Sequence, residues 1–168
     1  MNKSEFVFSI IIPVYNTEKY IEKCLNSVLD AMDTDCEVII VNDGATDNSE
    51  KIIKQFINNL PEKYKENFVY TKKKNKGLAD TKNVGIEMAR GKFISVVDSD
   101  DYIDKNFYKI AREYINNYDV IIYDLYVVFE NNPIYNYTSR AYREDKEIFL
   151  EGLLDGAMSG SSCNKRVI

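Results

Sequence analysis

An acidic cluster that directly follows a short apolar run constrains this chain more than any other stretch. Residues 93–97 (FISVV) are largely apolar and β-branched. Such a run is too short for a helix and predicts a strand buried on both faces. The run ends in Asp98, Ser99, Asp100 and Asp101. Burying unpaired carboxylates is costly, so the cluster fits the carboxyl end of a central strand, where open α/β sheets bind their ligands.

The spacing of Asp98 and Asp100 predicts a shared ligand. In an extended segment, alternate residues point to the same side, so both carboxylates could face one ion. Mg²⁺ and Mn²⁺ prefer carboxylate oxygens and bridge readily to phosphates. A solvated acidic turn that caps the next helix is the alternative, because Asp-x-Asp is a common chance pattern.

Strand and helix patterns alternate along the chain. The predicted strands are 6–14, 37–42, 68–71 and 93–97, and the predicted helices are 17–29 with Thr17 as N-cap, 47–60, 78–89 and 104–117. Further on, the pattern predicts a strand at 120–123, a hairpin of 126–129 with 134–137, and a helix at 145–154. This alternation indicates an α/β fold with a Rossmann-like, mostly parallel sheet and helices on both faces.

Polar residues follow three of these strands. They are Tyr15 and Asn16, then Asp43, then the acidic cluster. Parallel strands share a carboxyl end, so we expect all three groups at one edge of the sheet. Neither a Gly-x-Gly-x-x-Gly after the first strand nor a P-loop motif occurs, which argues against dinucleotide and P-loop sites.

Composition excludes several other classes of function. The chain contains no His, which rules out His-based triads and His-x-x-x-His zinc sites. Its formal net charge of −5 argues against nucleic acid as a partner. An anionic ligand would therefore need a metal ion or a few Lys. Cys24, Cys36 and Cys163 show no metal-site spacing and predict reduced thiols of a cytoplasmic protein.

Several segments together resemble the family 2 glycosyltransferases, which are inverting enzymes of the GT-A fold. The matching segments are 9–16 (SIIIPVYN), 38–49 (VIIVNDGATDNS), 75–101 (NKGLADTKNVGIEMARGKFISVVDSDD) and 162–168 (SCNKRVI). The resemblance implies one GT-A-like domain over 1–168. Residues 7–104 would form the nucleotide-sugar-binding half, and 105–168 a partial acceptor-side half of a truncated chain.

The resemblance also implies a set of site residues. The nucleotide-sugar-binding residues would be Pro13, Tyr15, Asn16, Asp43, Lys82, Asp98, Ser99 and Asp100, with Asp100 and Asp98 holding Mn²⁺ or Mg²⁺. Tyr15 would pack on the base, and Asp43 would accept hydrogen bonds from uracil. Asp100 would ligate the ion, while Asp98 would contact the ribose or the ion's water shell. Lys82 would stabilise the departing diphosphate.

Simpler structural roles stand beside some of these assignments. Tyr15 could be an ordinary aromatic, and Asp43 a turn residue before Gly44. As a strand-end residue, Asp43 is expected to contribute little to stability. Asp101 is expected to cap the helix that begins near Asp104.

Two positions depart from the family pattern near the predicted phosphate site. Lys82 stands where the family usually has Arg, so the charge is kept without the bidentate fork. Asp80 adds a carboxylate where a small residue is common.

The implied function is metal-dependent, inverting transfer of a sugar from a nucleotide-sugar donor, a UDP-sugar, to a glycan or lipid-linked acceptor. A non-catalytic nucleotide-sugar-binding module is the alternative, and a nucleotidyltransferase is disfavoured because its phosphate loop is missing. The catalytic base is not identified and is expected beyond residue 168; the acids available within the chain are Glu144, Asp145, Glu147, Glu151 and Asp155. A cytoplasmic location is implied, with peripheral attachment at the inner membrane face left open.

Overall fold

The computed structural model describes residues 6–121, 125–129 and 132–137. A compact unit ends at Tyr118 and contains a four-stranded sheet. Its strands are β1 (Phe8–Val14), β2 (Cys36–Asn42), β3 (Phe68–Lys72) and β4 (Phe93–Val96). The strand order is β3-β2-β1-β4, and every neighbouring pair is parallel. The predicted α/β fold with a mostly parallel sheet is confirmed.

Helices connect these strands. They are α1 (Ile21–Ala31), α2 (Ser49–Asn58), α3 (Leu78–Met88) and α4 (Phe107–Tyr114), with a 3-10 helix at Glu62–Asn67 before β3. Crossovers between parallel strands are right-handed as a rule, which puts α1 and α2 on one face of the sheet, where the two helices contact each other. The chain then returns across the sheet from β3 to β4, which places α3 on the opposite face.

The two middle strands form the core. Every residue of β1 and β2 is buried. On α1 the buried residues Ile21, Cys24, Leu25 and Val28 recur at helical spacing. On α3, Gly85 packs so close to β1 that an added Cβ would lie 2.3 Å from Ile11 Cγ2.

Strand β4 differs from its predicted setting. The sequence indicated a central strand buried on both faces, whereas in the described part of the chain β4 pairs with β1 alone and lies at the sheet edge. Its residues alternate between buried and half-buried. Among the described strands, a continuous apolar run therefore did not distinguish an interior strand from an edge strand.

Two predicted helix starts are also wrong. Helix α1 begins at Ile21, with Tyr20 at its N-cap position, and the Thr17 carbonyl instead closes a turn by accepting from Tyr20 N and Ile21 N. Helix α4 begins at Phe107, and Asn106 rather than Asp101 is at its N-cap position. In both places a turn with its own hydrogen bonds separates the polar residue from the helix.

The second unit begins at Asp119 and contains a hairpin. Strands β5 (Leu125–Phe129) and β6 (Asn132–Tyr137) pair antiparallel, which confirms the predicted hairpin. Residues 120 and 121 are not in a strand; the rest of the strand predicted at 120–123, the helix predicted at 145–154 and Cys163 lie outside the described residues. No helix in the described part of the chain is both long and apolar enough to cross a membrane.

Candidate functional site

The carboxyl ends of β1, β2 and β4 bring most of the predicted site residues to one edge of the sheet. Val14 is in register with Asn42, so Tyr15 and Asp43 leave neighbouring strands at the same level. Asp98 follows β4, and Lys82 of α3 reaches it. Pro13 is the exception, because it lies inside β1, is buried, and is in register with Val41.

Asp43 is the most enclosed carboxylate of this edge, only 3% exposed. Its Oδ1 accepts from Lys73 Nζ at 2.5 Å and from Lys76 N at 3.0 Å. Its Oδ2 accepts from Gly77 N at 2.9 Å. The loop between β3 and α3 therefore folds around this side chain, and these three contacts argue against the expectation that Asp43 contributes little to stability.

Lys73 joins two carboxylates. Its ammonium nitrogen lies 2.5 Å from Asp43 Oδ1 and 2.7 Å from Asp80 Oδ2, and only 17% of its side chain is exposed. Asp80, the unusual carboxylate of α3, is thus the second partner of a Lys that is only partly exposed. The basic run at residues 72–76 is typical of a solvated loop, and Lys73 is not among the site residues predicted from the sequence. Its position just after β3, at the edge that carries the other polar residues, was the available signal.

The pKa values of this pair follow from its contacts. Burial raises the pKa of Asp43, but hydrogen bonds from Lys73, Lys76 N and Gly77 N outweigh it and bring the pKa below its ordinary value of 3.8. Burial lowers the pKa of Lys73, but Asp43 and Asp80 together raise it above 10.5. Both groups are therefore charged at neutral pH.

Asn16 connects the loops that follow β1 and β2. It has a positive φ of 52°, a conformation that Asn tolerates better than most residues. Its Oδ1 accepts from Thr46 N at 2.8 Å. Asn16 was predicted to bind the nucleotide-sugar; in the structure its side chain connects two loops at the predicted site.

Further hydrogen bonds extend this contact between the same two loops. Thr17 N donates to Ser49 Oγ at 3.0 Å, and Glu18 N donates to Asp47 Oδ2 at 2.9 Å. In return, Asn48 N donates to Glu18 Oε2 at 2.8 Å. The loops hold each other in a fixed arrangement, which leaves Tyr15 half exposed at the edge of the site.

The acidic cluster forms a turn rather than an extended segment. Asp101 N donates to Asp98 O at 2.9 Å, closing the turn. Ser99 is buried and Asp100 is exposed. The premise that Asp98 and Asp100 alternate along an extended strand is therefore wrong, because β4 ends at Val96.

Lys82 supplies a positive charge beside this turn. Its Nζ lies 3.2 Å from Asp98 Oδ1, and both side chains are partly exposed. Across residues 6–121 and the hairpin strands, no three Asp, Glu or Cys side chains come together in an arrangement that could hold a metal ion.

Comparisons with known proteins identify the family to which this chain is similar. A family model described as Glycosyl transferase family 2 matches residues 9–163. EpsH of Bacillus subtilis is 34% identical over 161 residues, which cover 94% of this chain and 45% of EpsH. The poly(ribitol-phosphate) beta-N-acetylglucosaminyltransferase TarS of Staphylococcus aureus is 37% identical over 119 residues, covering 68% of this chain and 20% of TarS. The chain thus spans less than half the length of either relative.

Solved structures show the same fold. The crystal structure of TarS 1–349 in complex with UDP-GlcNAc matches with a TM-score of 0.61 and 34% identity, over 70% of this chain and 33% of that one. The mannosyltransferase PcManGT of Pyrobaculum calidifontis, in complex with GDP-Man and Mn²⁺, matches with a TM-score of 0.61 and 19% identity, over 67% and 33% of the two chains. Both are glycosyltransferases, and TarS matches this chain in sequence as well as in fold.

Proposed function

The chain belongs to glycosyl transferase family 2, and we propose that its sheet edge binds the nucleotide-sugar donor, a UDP-sugar, of a sugar transfer reaction. The observation that carries the proposal is the arrangement of three chemically distinct groups at one edge. Tyr15 follows β1, is half exposed and suits stacking on a base. The enclosed carboxylate of Asp43 follows β2 and suits an N–H group of that base. The pair formed by Lys82 of α3 and Asp98 after β4, beside Asp100, suits a diphosphate.

The base-binding part of the proposal involves Tyr15 and Asp43. Aromatic side chains stack on nucleobases, and Tyr15 has the exposure that stacking requires. An ionised carboxylate only accepts hydrogen bonds, so Asp43 suits a ring N–H such as that of uracil. TarS, which is 34% identical in a match that covers 70% of this chain, has been crystallised with UDP and with UDP-GlcNAc, which supports a uridine nucleotide.

The diphosphate-binding part involves Lys82, Asp98 and Asp100. Two carboxylates on one turn are too few to enclose a resident ion, but their oxygens fit a hard cation that also takes diphosphate oxygens and water. Asp100, which is exposed, would be the ligand, and Asp98 would contact the ribose or a water of the ion. Bound Mg²⁺ or Mn²⁺ supplies electrostatic stabilisation of the diphosphate as it leaves. Lys82 adds a positive charge at the same place, and Ser99, which lies between the two carboxylates of the turn in sequence, is buried.

The proposed reaction is an inverting single displacement. An acceptor hydroxyl attacks the anomeric carbon of the sugar, the bond from that carbon to the diphosphate breaks, and a carboxylate takes the hydroxyl proton. The acids considered for that role, which include Glu144 and Asp145, lie outside the described residues. The acceptor is proposed to be a glycan or a lipid-linked acceptor; one relative is named as a poly(ribitol-phosphate) beta-N-acetylglucosaminyltransferase. The proposed location is the cytoplasm, including the inner face of the membrane.

Isothermal titration of the 168-residue chain with UDP, GDP and UDP-GlcNAc, each with Mn²⁺ and with EDTA, tests donor binding. We expect UDP and UDP-GlcNAc to bind and EDTA to weaken both. Failure of all three nucleotides to bind at millimolar concentration would overturn the proposal. Incubation with UDP-GlcNAc and acceptors then separates two outcomes: release of UDP supports a transferase, and binding without release supports a non-catalytic module.

A further inference from the structure

The hydrogen bonds of Asp43 leave little of its carboxylate for a ligand. A carboxylate offers about four acceptor sites, two on each oxygen. Lys73 Nζ and Lys76 N fill both sites on Oδ1, and Gly77 N fills one on Oδ2. Counted over the described part of the chain, a single acceptor site remains, and it is on Oδ2.

Nucleobases differ in the donors that they present to such a carboxylate. Uracil has one ring N–H between two carbonyl groups, so a single acceptor site satisfies it. Guanine presents a ring N–H and an amino N–H side by side, a pair that matches both oxygens of one carboxylate. A carboxylate with only Oδ2 available therefore suits uracil and leaves one guanine donor without a partner, which costs affinity.

We propose that Lys73 is a positioning residue that makes the site selective for uracil over guanine, because its ammonium group occupies the Oδ1 site that guanine would need. The inference rests on the proposed function, since it assumes that the base of the donor meets Asp43. It goes further by assigning the selectivity to a residue that does not itself touch the base.

The surroundings of Lys73 keep it in that position. Asp80 holds the same ammonium group at 2.7 Å, and the side chain is largely enclosed. The two carboxylates also raise the pKa of Lys73, so it stays charged over the pH range in which the nucleotides are stable. Because two carboxylates already share its charge, Lys73 is poorly placed to act on the diphosphate instead.

The test compares the affinities of UDP and GDP, measured by titration calorimetry in the same Mn²⁺ buffer. Both ligands carry the same diphosphate, so any direct effect of a substitution on phosphate binding cancels in the ratio of the two dissociation constants. We expect the unaltered chain to prefer UDP by about 10-fold or more, the range of one unsatisfied hydrogen bond to a charged group. Lys73→Met should reduce the UDP preference by about 10-fold, mainly through tighter GDP binding.

Three variants act as controls. Lys73→Arg keeps a charged donor at Oδ1 and should keep the preference for UDP. Lys74→Met removes the same charge from an exposed neighbour in the same loop and should leave the ratio unchanged. Asp80→Asn removes the charge that holds the Lys73 ammonium group, and Asp80 is partly exposed. This variant should therefore reduce the preference for UDP over GDP in part, and it provides a test even if Lys73→Met does not fold.

The outcomes separate the two proposals. If the unaltered chain binds neither nucleotide, the proposed function fails, and the inference fails with it. If it binds UDP but Lys73→Met and Asp80→Asn keep its full preference over GDP, the inference alone is overturned. Equal affinities of the unaltered chain for GDP and UDP would also overturn the inference, because the occupied Oδ1 of Asp43 would then not disfavour guanine.

Discussion

Lys82 Nζ lies 3.2 Å from Asp98 Oδ1, so the first carboxylate after β4 has a positive charge from α3 beside it. This contact links the N-terminal half of α3 to the turn at residues 98–101. It also places a cation where the proposed diphosphate would bind. A Lys gives a point charge rather than a bidentate fork, so it favours negative charge there without fixing its orientation.

Lys82→Met tests whether this charge serves the diphosphate. We expect it to weaken UDP binding by about 10-fold, the range of one hydrogen bond to a charged group, while leaving uridine binding unchanged. Calorimetric titration with UDP and with uridine measures both. Lys92→Met removes an equal charge at the opposite end of β4 and should change neither. Equal losses for UDP and uridine would show that Lys82 acts by shaping the site instead.

Asp100→Asn tests the proposed metal ligand. Loss of one charged ligand should weaken the effect of Mn²⁺ on UDP affinity by about 10- to 100-fold, the range known for losses even beyond the directly bound ligands. The measurement is the UDP dissociation constant over a series of Mn²⁺ concentrations. Asp30→Asn, on the exposed side of α1, is the matched control. If neither EDTA nor Asp100→Asn changes the dissociation constant of UDP, Asp100 is not a metal ligand in UDP binding.

The sequence predicted the fold well because its signals are local. Patterns among residues only a few positions apart are enough to recognise the buried strands at 8–14 and 36–42. The same holds for the amphipathic helix α1. Parallel pairing then follows from the alternation of strands and helices, and it places the polar strand ends together. The edge position that β4 has among the described strands was missed because the order of strands depends on long-range pairing, which a single apolar run does not encode.

The sequence predicted which residues lie at the candidate site, but it did not predict which groups they contact. Sequence reasoning found Asp43 and Asn16, yet both bond to other loops in ways that no spacing rule contains. Lys73 was missed because a Lys in a basic run is usually solvated. Only the folded loop brings its ammonium group to two carboxylates at once.

Gly85→Ala tests the packing of α3 on β1. The new Cβ would lie 2.3 Å from Ile11 Cγ2, within a core that cannot move freely, so we expect a loss of about 1–3 kcal/mol in the free energy of unfolding. Urea denaturation measures it. The double variant Gly85→Ala with Ile11→Ala removes the opposing methyl group, and there the Gly85 substitution should cost clearly less. An equal cost in both backgrounds would assign the effect to the backbone of α3 rather than to this contact.

Asp43→Asn tests whether the enclosed carboxylate stabilises the fold. At pH 7 the substitution replaces a charged acceptor of three hydrogen bonds by a neutral amide, and we expect a loss of about 1–3 kcal/mol in the free energy of unfolding.

The pH dependence of that loss follows from the lowered pKa of Asp43. Because the folded chain holds the pKa below the ordinary value of 3.8, the ionised carboxylate contributes its full stabilisation above that value. The contribution disappears as the pH falls through the folded pKa, since protonation then occurs in both states. Urea denaturation should therefore give a large difference between the unaltered chain and Asp43→Asn at pH 7 and a smaller one below about pH 4. Asp30→Asn should show little difference at either pH. A difference for Asp43→Asn that stays constant between pH 7 and pH 3 would mean that the shape of the side chain, and not its charge, holds the loop in place.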